Sequence, residues 1–342
     1  MADRQRSVST KDVAALAGVS IGTVSNVLNA PHKVAEATRL RVNGAIRELG
    51  WERNENARQL RAGRSNTIGM LVPNLYNPHF AELFHGAEEF LYERGFIVNV
   101  SNANELPERE ELILDQFRRQ RVGGVMMAPV GAAMASAANL MERQIPVVLL
   151  DEANNSEFSG VGSDNFTGGL LAGHHLIDQG HHRIAFVGAS ERLVQVRDRL
   201  RGCQVAVQAH PGASLRVIST AQMDPEAGRR AAEEVLKLDL PFRPTAVFCA
   251  SDLVAMGFLQ GMTAAGLRVP EQMAIIGYDD IDFAASAAVP LSSIRQPTHQ
   301  MGREAASLLL GAMNAISQTG EMPRISKLFN PDLVVRESTL RS

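Results

Sequence analysis

The chain has 342 residues, too many for a single ordinary domain, and its 45% hydrophobic content excludes an intrinsically disordered protein. It has no apolar run of about eighteen residues, and its polar first residues lack a signal-peptide core, so we expect a cytoplasmic protein with no membrane partner. The net charge of −3 is unevenly distributed, because residues 1–64 hold 11 Lys and Arg against 6 Asp and Glu, whereas the remainder holds 23 against 31. A basic head on an acidic body indicates that only the head binds a polyanion, although an ordinary basic patch would give the same balance.

Residues 1–50 have the spacing of a helix-turn-helix head. Apolar residues at helical intervals predict a first helix over 11–18, where Gly18 fits a left-handed turn and Ser20 is a good N-cap for the next helix. A second helix is predicted over 21–28 and a third over 35–49, each with one apolar face. This arrangement predicts a DNA-binding unit whose second helix enters the major groove, with a generic three-helix bundle as the alternative.

The outward face of the second helix predicts the residues that contact DNA. Thr23 and Ser25 are expected to anchor the helix, whereas Ile21, Gly22 and Asn26 are expected to set the sequence preference. Because Asn pairs with adenine and the position lacks Arg, we expect adenine opposite Asn26. The predicted set is Ser9, Ser20, Ile21, Gly22, Thr23, Ser25, Asn26, Asn29, Thr38 and, in the segment after the head, Leu60.

Residues 51–65 are predicted to form a hinge between the head and the body. The segment is polar and basic, and Leu60 is its single large apolar side chain after Trp51, so it cannot fold alone as a helix. It is expected to become helical when two copies meet on DNA, with Leu60 between base steps in the minor groove. A plain flexible linker is the alternative.

Residues 66–342 alternate strand-like apolar runs with segments of helical periodicity. Strands are predicted at residues 67–72, 96–100, 124–128, 146–151, 183–188, 215–219, 246–250 and 274–278. Helices are predicted between most of them, for example over 80–94 and 109–119. The alternation predicts parallel sheets covered by helices, and eight strands over this length fit two sheets better than one.

Polar residues follow several of these strands, where ligands of open parallel sheets bind. Carboxylates, amides and an aromatic ring at such positions suit a polyhydroxylated ligand. The residues predicted from this pattern to bind the ligand are Asn77, His79, Phe80, Asp151, Asp164, Arg199, Ser251 and Asp279.

Other patterns are interpreted as structural. The G-x-S-x-G spacing at 18–22 follows a helix and not a strand, which excludes a nucleophile elbow. The histidine pairs at 174–175 and 181–182 are not expected to bind metal, and Cys203 and Cys249 are expected to be buried free thiols. The chain has no phosphate-binding glycine loop of the common types and no nucleophile–base pair, so we expect neither a cofactor nor an enzyme.

The segment 12–29, with the sequence DVAALAGVSIGTVSNVLN, closely resembles the head of the lactose-repressor (LacI/GalR) family. Ala57 and Leu60 match the family's hinge pair, which kinks DNA at the operator centre, so the resemblance adds Ala57 to the predicted DNA contacts. VVRES at 334–338 is similar to the family's terminal strand. The resemblance implies an all-α head joined to an α/β periplasmic-binding-protein-like domain with two Rossmann-like lobes. It also implies three crossings between the lobes, near Ser163, Arg295 and Arg324, which gives a first lobe of about 66–163 and 296–324 and a second of about 164–295 and 325–342.

The resemblance extends to the ligand site. Arg199 matches the family's ligand-gripping arginine, Asp279 its ligand-binding aspartate, and His79 and Phe80 a pair that lines its cleft. The resemblance adds Met223 to the predicted ligand-binding set, at a position that is often aromatic in the family, and Ser251 replaces a frequent Asn. These departures affect the expected identity of the ligand and leave the expected location of its cleft unchanged.

Together these features predict a repressor that binds pseudo-palindromic operator DNA as a homodimer and responds to a small effector, a sugar or sugar derivative. A regulator that responds to a nucleobase or nucleoside is the alternative within the same family. A solute-binding protein without a DNA role is the alternative of another class, and the attached basic head speaks against it.

Overall fold

The computed structural model describes residues 8–51, 65–131, 134–188 and 193–340. The chain divides into two compact units, Met1–Arg64 and Ser65–Ser342. The predicted DNA contacts of Ala57 and Leu60, and most of the predicted hinge 51–65, lie outside the described residues. Within the described ranges, none of the helices is both long and apolar enough to span a bilayer.

The described part of the N-terminal unit, residues 8–51, forms three helices, α1 (Thr10–Ala17), α2 (Ile21–Asn29) and α3 (Glu36–Leu49), with a short 3₁₀ turn between the last two. Gly18 ends α1 in the left-handed conformation, with φ of 65°. The side chain of Ser20 caps α2 by accepting a hydrogen bond from the Thr23 backbone N–H. Both features confirm the turn chemistry predicted from the sequence.

A small apolar core fixes the three helices against one another. On each helix, the buried residues of this core lie on one face. They are Val13, Ala14, Ala17, Val24, Val27, Val42 and Ala45. Leu28, Ile46 and Leu49 pack against them with partial exposure. The unit is therefore the predicted helix-turn-helix fold, with α3 supporting the first two helices.

The second unit contains twelve strands in its described residues. They are β1 (Thr67–Val72), β2 (Ile97–Asn102), β3 (Gly124–Met127), β4 (Val147–Leu150), β5 (Ser159–Ser163), β6 (Arg183–Val187), β7 (Ser214–Ile218), β8 (Ala246–Cys249), β9 (Ala274–Asp279), β10 (Ser292–Arg295), β11 (Ser326–Phe329) and β12 (Asp332–Val334). The helices between them are α4 (Pro78–Tyr92), α5 (Pro107–Gln120), α6 (Met134–Glu142), α7 (Asn165–Asp178), α8 (Val194–Gln208), α9 (Pro225–Leu236), α10 (Asp252–Ala264), α11 (Asp282–Ala285) and α12 (Thr298–Thr319).

The strands form two six-stranded sheets. The first has the order β11-β5-β4-β3-β1-β2, and all its pairs are parallel. The second has the order β12-β10-β9-β8-β6-β7, in which only the β10–β12 pair is antiparallel. The two sheets with their covering helices are the first and second lobes, which confirms the predicted two-lobed α/β fold.

The central strands are apolar on both faces because helices cover both sides of each sheet. Every residue of β3, β4, β8 and β9 is buried. In the first lobe, one face of the sheet shares a core with α4 and α12 and the other with α5 and α6. A larger continuous core fills the second lobe.

The chain passes from the first sheet to the second after Ser163 and returns to the first lobe after Arg295, where α12 begins. The third passage is later than expected, because Ser326–Phe329 pairs with β5 in the first sheet. The assignment of residues 325–329 to the second lobe, with a crossing near Arg324, is therefore wrong. The last strand also ends at Val334, so most of VVRES follows it, and Glu337–Thr339 forms a 3₁₀ turn.

Candidate functional site

A cavity opens between the two lobes of the second unit at the carboxyl ends of the parallel strands. Its empty volume is about 620 Å³, including space open to solvent. The lining residues are Pro73, Asn74, Asn77, His79, Phe80, Glu105, Ala128, Pro129, Asp151, Leu193, Gln195, Val196, Arg199, Met223, Ser251 and Asp279. A concave site between two lobes that gathers a few polar groups is typical of small-molecule binding.

Eight of the nine residues predicted to bind a ligand line this one cavity, and Asp164 does not. The Asp164 side chain instead caps α7, where its two oxygens accept hydrogen bonds from the Thr167 backbone N–H at 2.9 Å and the Thr167 hydroxyl at 2.7 Å. This is the ordinary role of Asp immediately before a helix. The next residue, Asn165, accepts a hydrogen bond from Arg199, which lines the cavity.

Arg199 is fixed in the second lobe by several contacts. Its Nε donates to Asn165 Oδ1 at 2.8 Å and its Nη1 to the Ala250 carbonyl at 2.6 Å. The guanidinium carbon lies 3.6 Å from the centroid of the Tyr278 ring, and Nη2 is 3.9 Å from Asp279 Oδ1. Two of its five N–H donors are thus held by neutral acceptors, and the group is only 5% exposed.

His79 and Asp151 form a buried ion pair on the first-lobe side of the cavity, with 3.1 Å between His79 Nε2 and Asp151 Oδ2. Burial by itself lowers the pKa of His79, but the charges of Asp151 and Asp279 and the hydrogen bond outweigh it and raise the pKa above its ordinary value. Burial likewise raises the pKa of Asp151, and the His79 and Arg199 charges more than reverse this, so it lies below its ordinary range. Both shifts favour the charged pair.

Asp279 connects the two lobes through its carboxylate. Asn77, at the start of α4 in the first lobe, donates to its Oδ2 at 3.4 Å, and His79 Nδ1 is 3.9 Å from its Oδ1. Gln296, at the crossing that follows β10, donates to the same Oδ1 at 2.9 Å. A ligand that competes for Asp279 therefore competes with contacts between the lobes.

Asp151 and Asp279 both adopt positive φ angles, of 58° and 102°. Residues other than Gly rarely adopt a positive φ angle. Where they do, they are often found at active sites and ligand-binding sites. Here the unusual backbone ends β4 and β9 and turns both carboxylates toward the lobe boundary.

One oxygen of the pair has no partner among the described residues. Asp151 Oδ1 is buried, and no hydrogen-bond donor in residues 8–51, 65–131, 134–188 and 193–340 reaches it. A buried carboxylate oxygen that lacks a donor is costly, and a hydroxyl or amino group of a ligand in the cavity would satisfy it.

Four further polar residues complete the site, and sequence reasoning did not predict them. Gln195 donates to the Asp151 carbonyl at 3.1 Å across the lobe boundary, and Thr298 Oγ1 is 3.3 Å from His79 Nδ1. Gln296 and Glu105 also belong to the set, and burial raises the pKa of Glu105. Only Gln296 and Thr298 had a sequence signal, since they directly follow the crossing predicted near Arg295.

The N-terminal unit presents the predicted DNA-contacting residues along α2. Ile21 is 47% exposed despite its apolar side chain, and Gly22, Ser25, Asn26 and Asn29 are exposed as well. Thr23 is half-buried because its hydroxyl lies 2.9 Å from Ser20 Oγ. Ser9 is exposed at the start of α1, and Thr38 is half-buried at the start of α3.

Two family models match the chain. The model described as "Bacterial regulatory proteins, lacI family" covers residues 9–54, and the model described as "Periplasmic binding protein-like domain" covers residues 174–339.

Curated relatives align over almost the whole length. The HTH-type transcriptional repressor PurR of Aliivibrio fischeri (strain MJ11) is 34% identical, over 96% of this chain and 98% of the relative. The HTH-type transcriptional repressor CytR of Escherichia coli (strain K12) is 35% identical, over 99% of this chain and 98% of the relative.

Solved structures share the fold. A lac repressor dimer bound to operator and the anti-inducer ONPF superposes with a TM-score of 0.84 at 26% identity, covering 98% of this chain and all of that one. A complex of the transcriptional regulator CelR with cellobiose gives 0.70 at 31% identity, covering 97% and 99%. A LacI family regulator from Enterococcus faecium with bound ribose gives 0.70 at 30% identity, covering 80% and 98%.

Proposed function

Because the chain belongs to the lacI family of bacterial regulatory proteins and is a DNA-binding repressor controlled by a small effector, we propose that the effector is an uncharged polyhydroxylated molecule, a sugar or sugar derivative. The observation that carries this proposal is the unpartnered buried oxygen of Asp151 on the cavity wall. It requires a hydrogen-bond donor, and hydroxyl groups supply several in a small volume.

The charges that line the cavity favour a neutral effector over an anionic one. Among the described lining residues, Asp151, Asp279 and Glu105 supply three carboxyl groups against the two cations His79 and Arg199. His79 is already paired with Asp151, and Arg199 lies beside Asp279. Within this described set, a phosphate group would meet the carboxylates without an unpaired cation to offset them, which disfavours sugar phosphates.

A nucleoside is the second candidate. The identity of 34–35% to repressors named PurR and CytR favours it, and a nucleoside also carries sugar hydroxyls. Phe80 is the one Phe, Tyr or Trp among the lining residues that the structure describes, and it lies edge-on to the His79 imidazole with ring centroids 5.0 Å apart. A base sandwiched between two large rings would need a second Phe, Tyr or Trp, which the described lining residues lack.

On the DNA side, we propose that α2 enters the major groove of an operator half-site. Ser20, Thr23, Ser25 and Asn29 would hold phosphates or base edges, with Ser9 and Thr38 on the flanking backbone. Ile21, Gly22 and Asn26 would set the preferred bases. Two copies are needed for a pseudo-palindromic operator, so the working form is a homodimer that acts where DNA is, in the cytoplasm, and we assign it no catalytic role.

The effector and the operator would be linked through the lobes. Binding at Asp279 and Asp151 replaces or strengthens the Asn77–Asp279 and Gln195–Asp151 contacts, and so favours one arrangement of the lobes over another. Because only an effector with different affinity for the two arrangements changes DNA affinity, the coupling is a measurable free energy.

A thermal-shift screen of the full chain with neutral sugars, sugar phosphates and nucleosides tests the effector class. We expect at least one neutral sugar to raise the melting temperature of the wild type and not that of Asp151→Asn. Stabilisation by sugar phosphates alone would refute the neutral class, and stabilisation by nucleosides but no free sugar would establish the second candidate in its place.

A further inference from the structure

Two helices of the first lobe bring three metal-ligating side chains together outside the cavity. Glu82 and His85 lie one turn apart on α4, and His299 is the second residue of α12. One ligand atom from each lies within 4.8 Å of the other two. The rings of His85 and His299 meet edge to face, with centroids 5.2 Å apart, and His85 Nδ1 is 3.9 Å from Glu82 Oε2.

We propose that Glu82, His85 and His299 bind a divalent transition metal of the zinc class. Two imidazoles and one carboxylate are a ligand set that Zn²⁺ takes in proteins, with water in the fourth position. Metal–ligand bonds of about 2.0–2.2 Å in a tetrahedral site separate the ligand atoms by roughly 3.4 Å. The side chains of Glu82 and His85 are 52% and 64% exposed, so they reach this spacing by rotating about their own bonds.

The backbones that carry the ligands are held firmly in place. A Cβ added to Gly86 would overlap the His299 carbonyl oxygen, and one added to Gly302 would overlap the Leu83 carbonyl oxygen. Helices α4 and α12 are therefore in backbone contact on both sides of the cluster. A fixed frame with mobile ligating side chains lowers the cost of ordering the site.

One of the three proposed ligands, His299, also contacts a second carboxylate, that of Glu89. Glu89, two turns after Glu82 on α4, has Oε2 at 3.5 Å from His299 Nε2 and pairs with Arg303. When His299 binds a metal through Nδ1, its Nε2–H donates to Glu89, and such outer partners orient the ring and strengthen the metal bond.

Metal ions can reach this position, and the buried thiols do not compete for them. Glu82 and His299 border an open groove on the surface of the second unit. Burial raises the pKa of Cys203 to about 12, and it raises that of Cys249 as well, so neither supplies a thiolate ligand at neutral pH. The expectation of no metal concerned the histidine pairs at 174–175 and 181–182, and no spacing in the sequence predicts this cluster, because His299 lies far along the chain from Glu82 and His85.

The test uses the untagged full chain, freed of metal with a chelator. Titration with Zn²⁺ by calorimetry should show one ion per chain, and Co²⁺ in the same site should give the visible absorption of tetrahedral coordination. The double variant His85→Asn/His299→Asn should lose this absorption and at least tenfold in Zn²⁺ affinity. Glu89→Gln should lose about tenfold while keeping the absorption.

The matched control is His174→Asn/His210→Asn, a second pair of neighbouring rings with centroids 5.8 Å apart. It should bind one Zn²⁺ as the wild type does. Wild-type affinity in the cluster variant, or an equal loss in the control, would overturn the proposal. Should the double variant fail to fold, Glu82→Gln at an exposed position serves in its place and should also weaken Zn²⁺ binding at least tenfold.

Discussion

Asp151 combines three properties at the residue scale: a left-handed backbone, an ion pair with His79 and one oxygen without a donor. Asp151→Asn keeps the size of the side chain and removes the charge. We expect effector affinity to fall about 10- to 100-fold, the cost of losing a charge-assisted hydrogen bond. Calorimetry with the effector identified in the screen measures this, and unchanged affinity would remove Asp151 from the site.

Exposed Asp178→Asn at the end of α7 is the control for that substitution, because it lies outside the cavity lining. It should bind the effector with wild-type affinity.

The ion pair also predicts a pH dependence of stability. The raised pKa of His79 means that its contribution is complete below the ordinary value of 6.5 and is lost as the pH rises through the folded-state pKa. The lowered pKa of Asp151 means that its contribution is complete above 3.8 and is lost as the pH falls through the folded-state pKa. Both contributions are therefore present between pH 3.8 and 6.5.

Urea unfolding of the wild type and His79→Asn across this range measures the effect. The difference in unfolding free energy should be largest within the window and should shrink above pH 6.5. Exposed His182→Asn should show no such trend. A difference that grows with pH above 6.5 would mean that His79 is neutral in the folded protein.

At the DNA surface the residue-scale prediction concerns Asn26, which is exposed on α2. Asn26→Arg should change the preferred base from adenine to guanine at one position of each half-site, because Arg pairs with the O6 and N7 atoms of guanine. Selection of operators from a randomised pool with both proteins checks this. The same base selected by both would place Asn26 away from the base edges.

At the element scale, close helix packing holds the arginine of the cavity. Helices α7 and α8 touch at Gly169, where an added Cβ would overlap the Arg199 carbonyl oxygen. Gly169→Ala should therefore destabilise the protein by about 1–3 kcal/mol and weaken effector binding by displacing Arg199.

Gly311→Ala on α12 is the matched control, since it is an exposed helical glycine with nothing within 4 Å of an added Cβ. It should stabilise the protein by up to about 1 kcal/mol. Urea unfolding of both variants measures the two changes in unfolding free energy. Equal changes would show that α7 and α8 can move apart without loss of stability.

The elements that the sequence predicted are those with strong local patterns. The apolar strands β1, β3, β4, β8 and β9 and the capped helices of the head were placed within a few residues of their observed bounds. Their buried faces repeat at the period of the element itself, so the pattern is visible without tertiary context.

Four strands were missed because their residues do not show that pattern. β5 has the sequence SGVGS, and its glycines allow the backbone of residues 151–153 to approach closely, which is a property of the fold and not of the segment. β10 and β11 contain Ser and charged residues, and β12 has only three residues. The misplaced third crossing follows directly from missing β11.

Cavity residues were predictable where they follow a strand that the sequence pattern reveals. Asp151 and Asp279 directly follow recognisable strands, whereas Gln195 follows no predicted strand directly and reaches the cavity only through the approach of the second lobe to Asp151. Asp164 was assigned to the ligand because it follows the stretch around Val161, yet a helix begins at the next residue and the cap takes both its oxygens.

At the scale of the whole molecule, the cavity proposed to bind the effector coincides with the contacts between the lobes. Asn77 and His79 reach Asp279 from the first lobe, and Gln195 reaches the Asp151 carbonyl from the second. An effector that engages these groups changes the free energy of one lobe arrangement relative to another. That difference is the quantity that an allosteric repressor couples to DNA affinity.

The most direct measurement is operator binding by the full chain, followed by fluorescence anisotropy on DNA from its own genomic neighbourhood, with and without the effector. We predict specific binding whose affinity changes at least fivefold with effector in the wild type, and not in Asp151→Asn, which should still bind the operator. Failure to bind any such fragment in either condition, or an equal response in both proteins, would contradict the account.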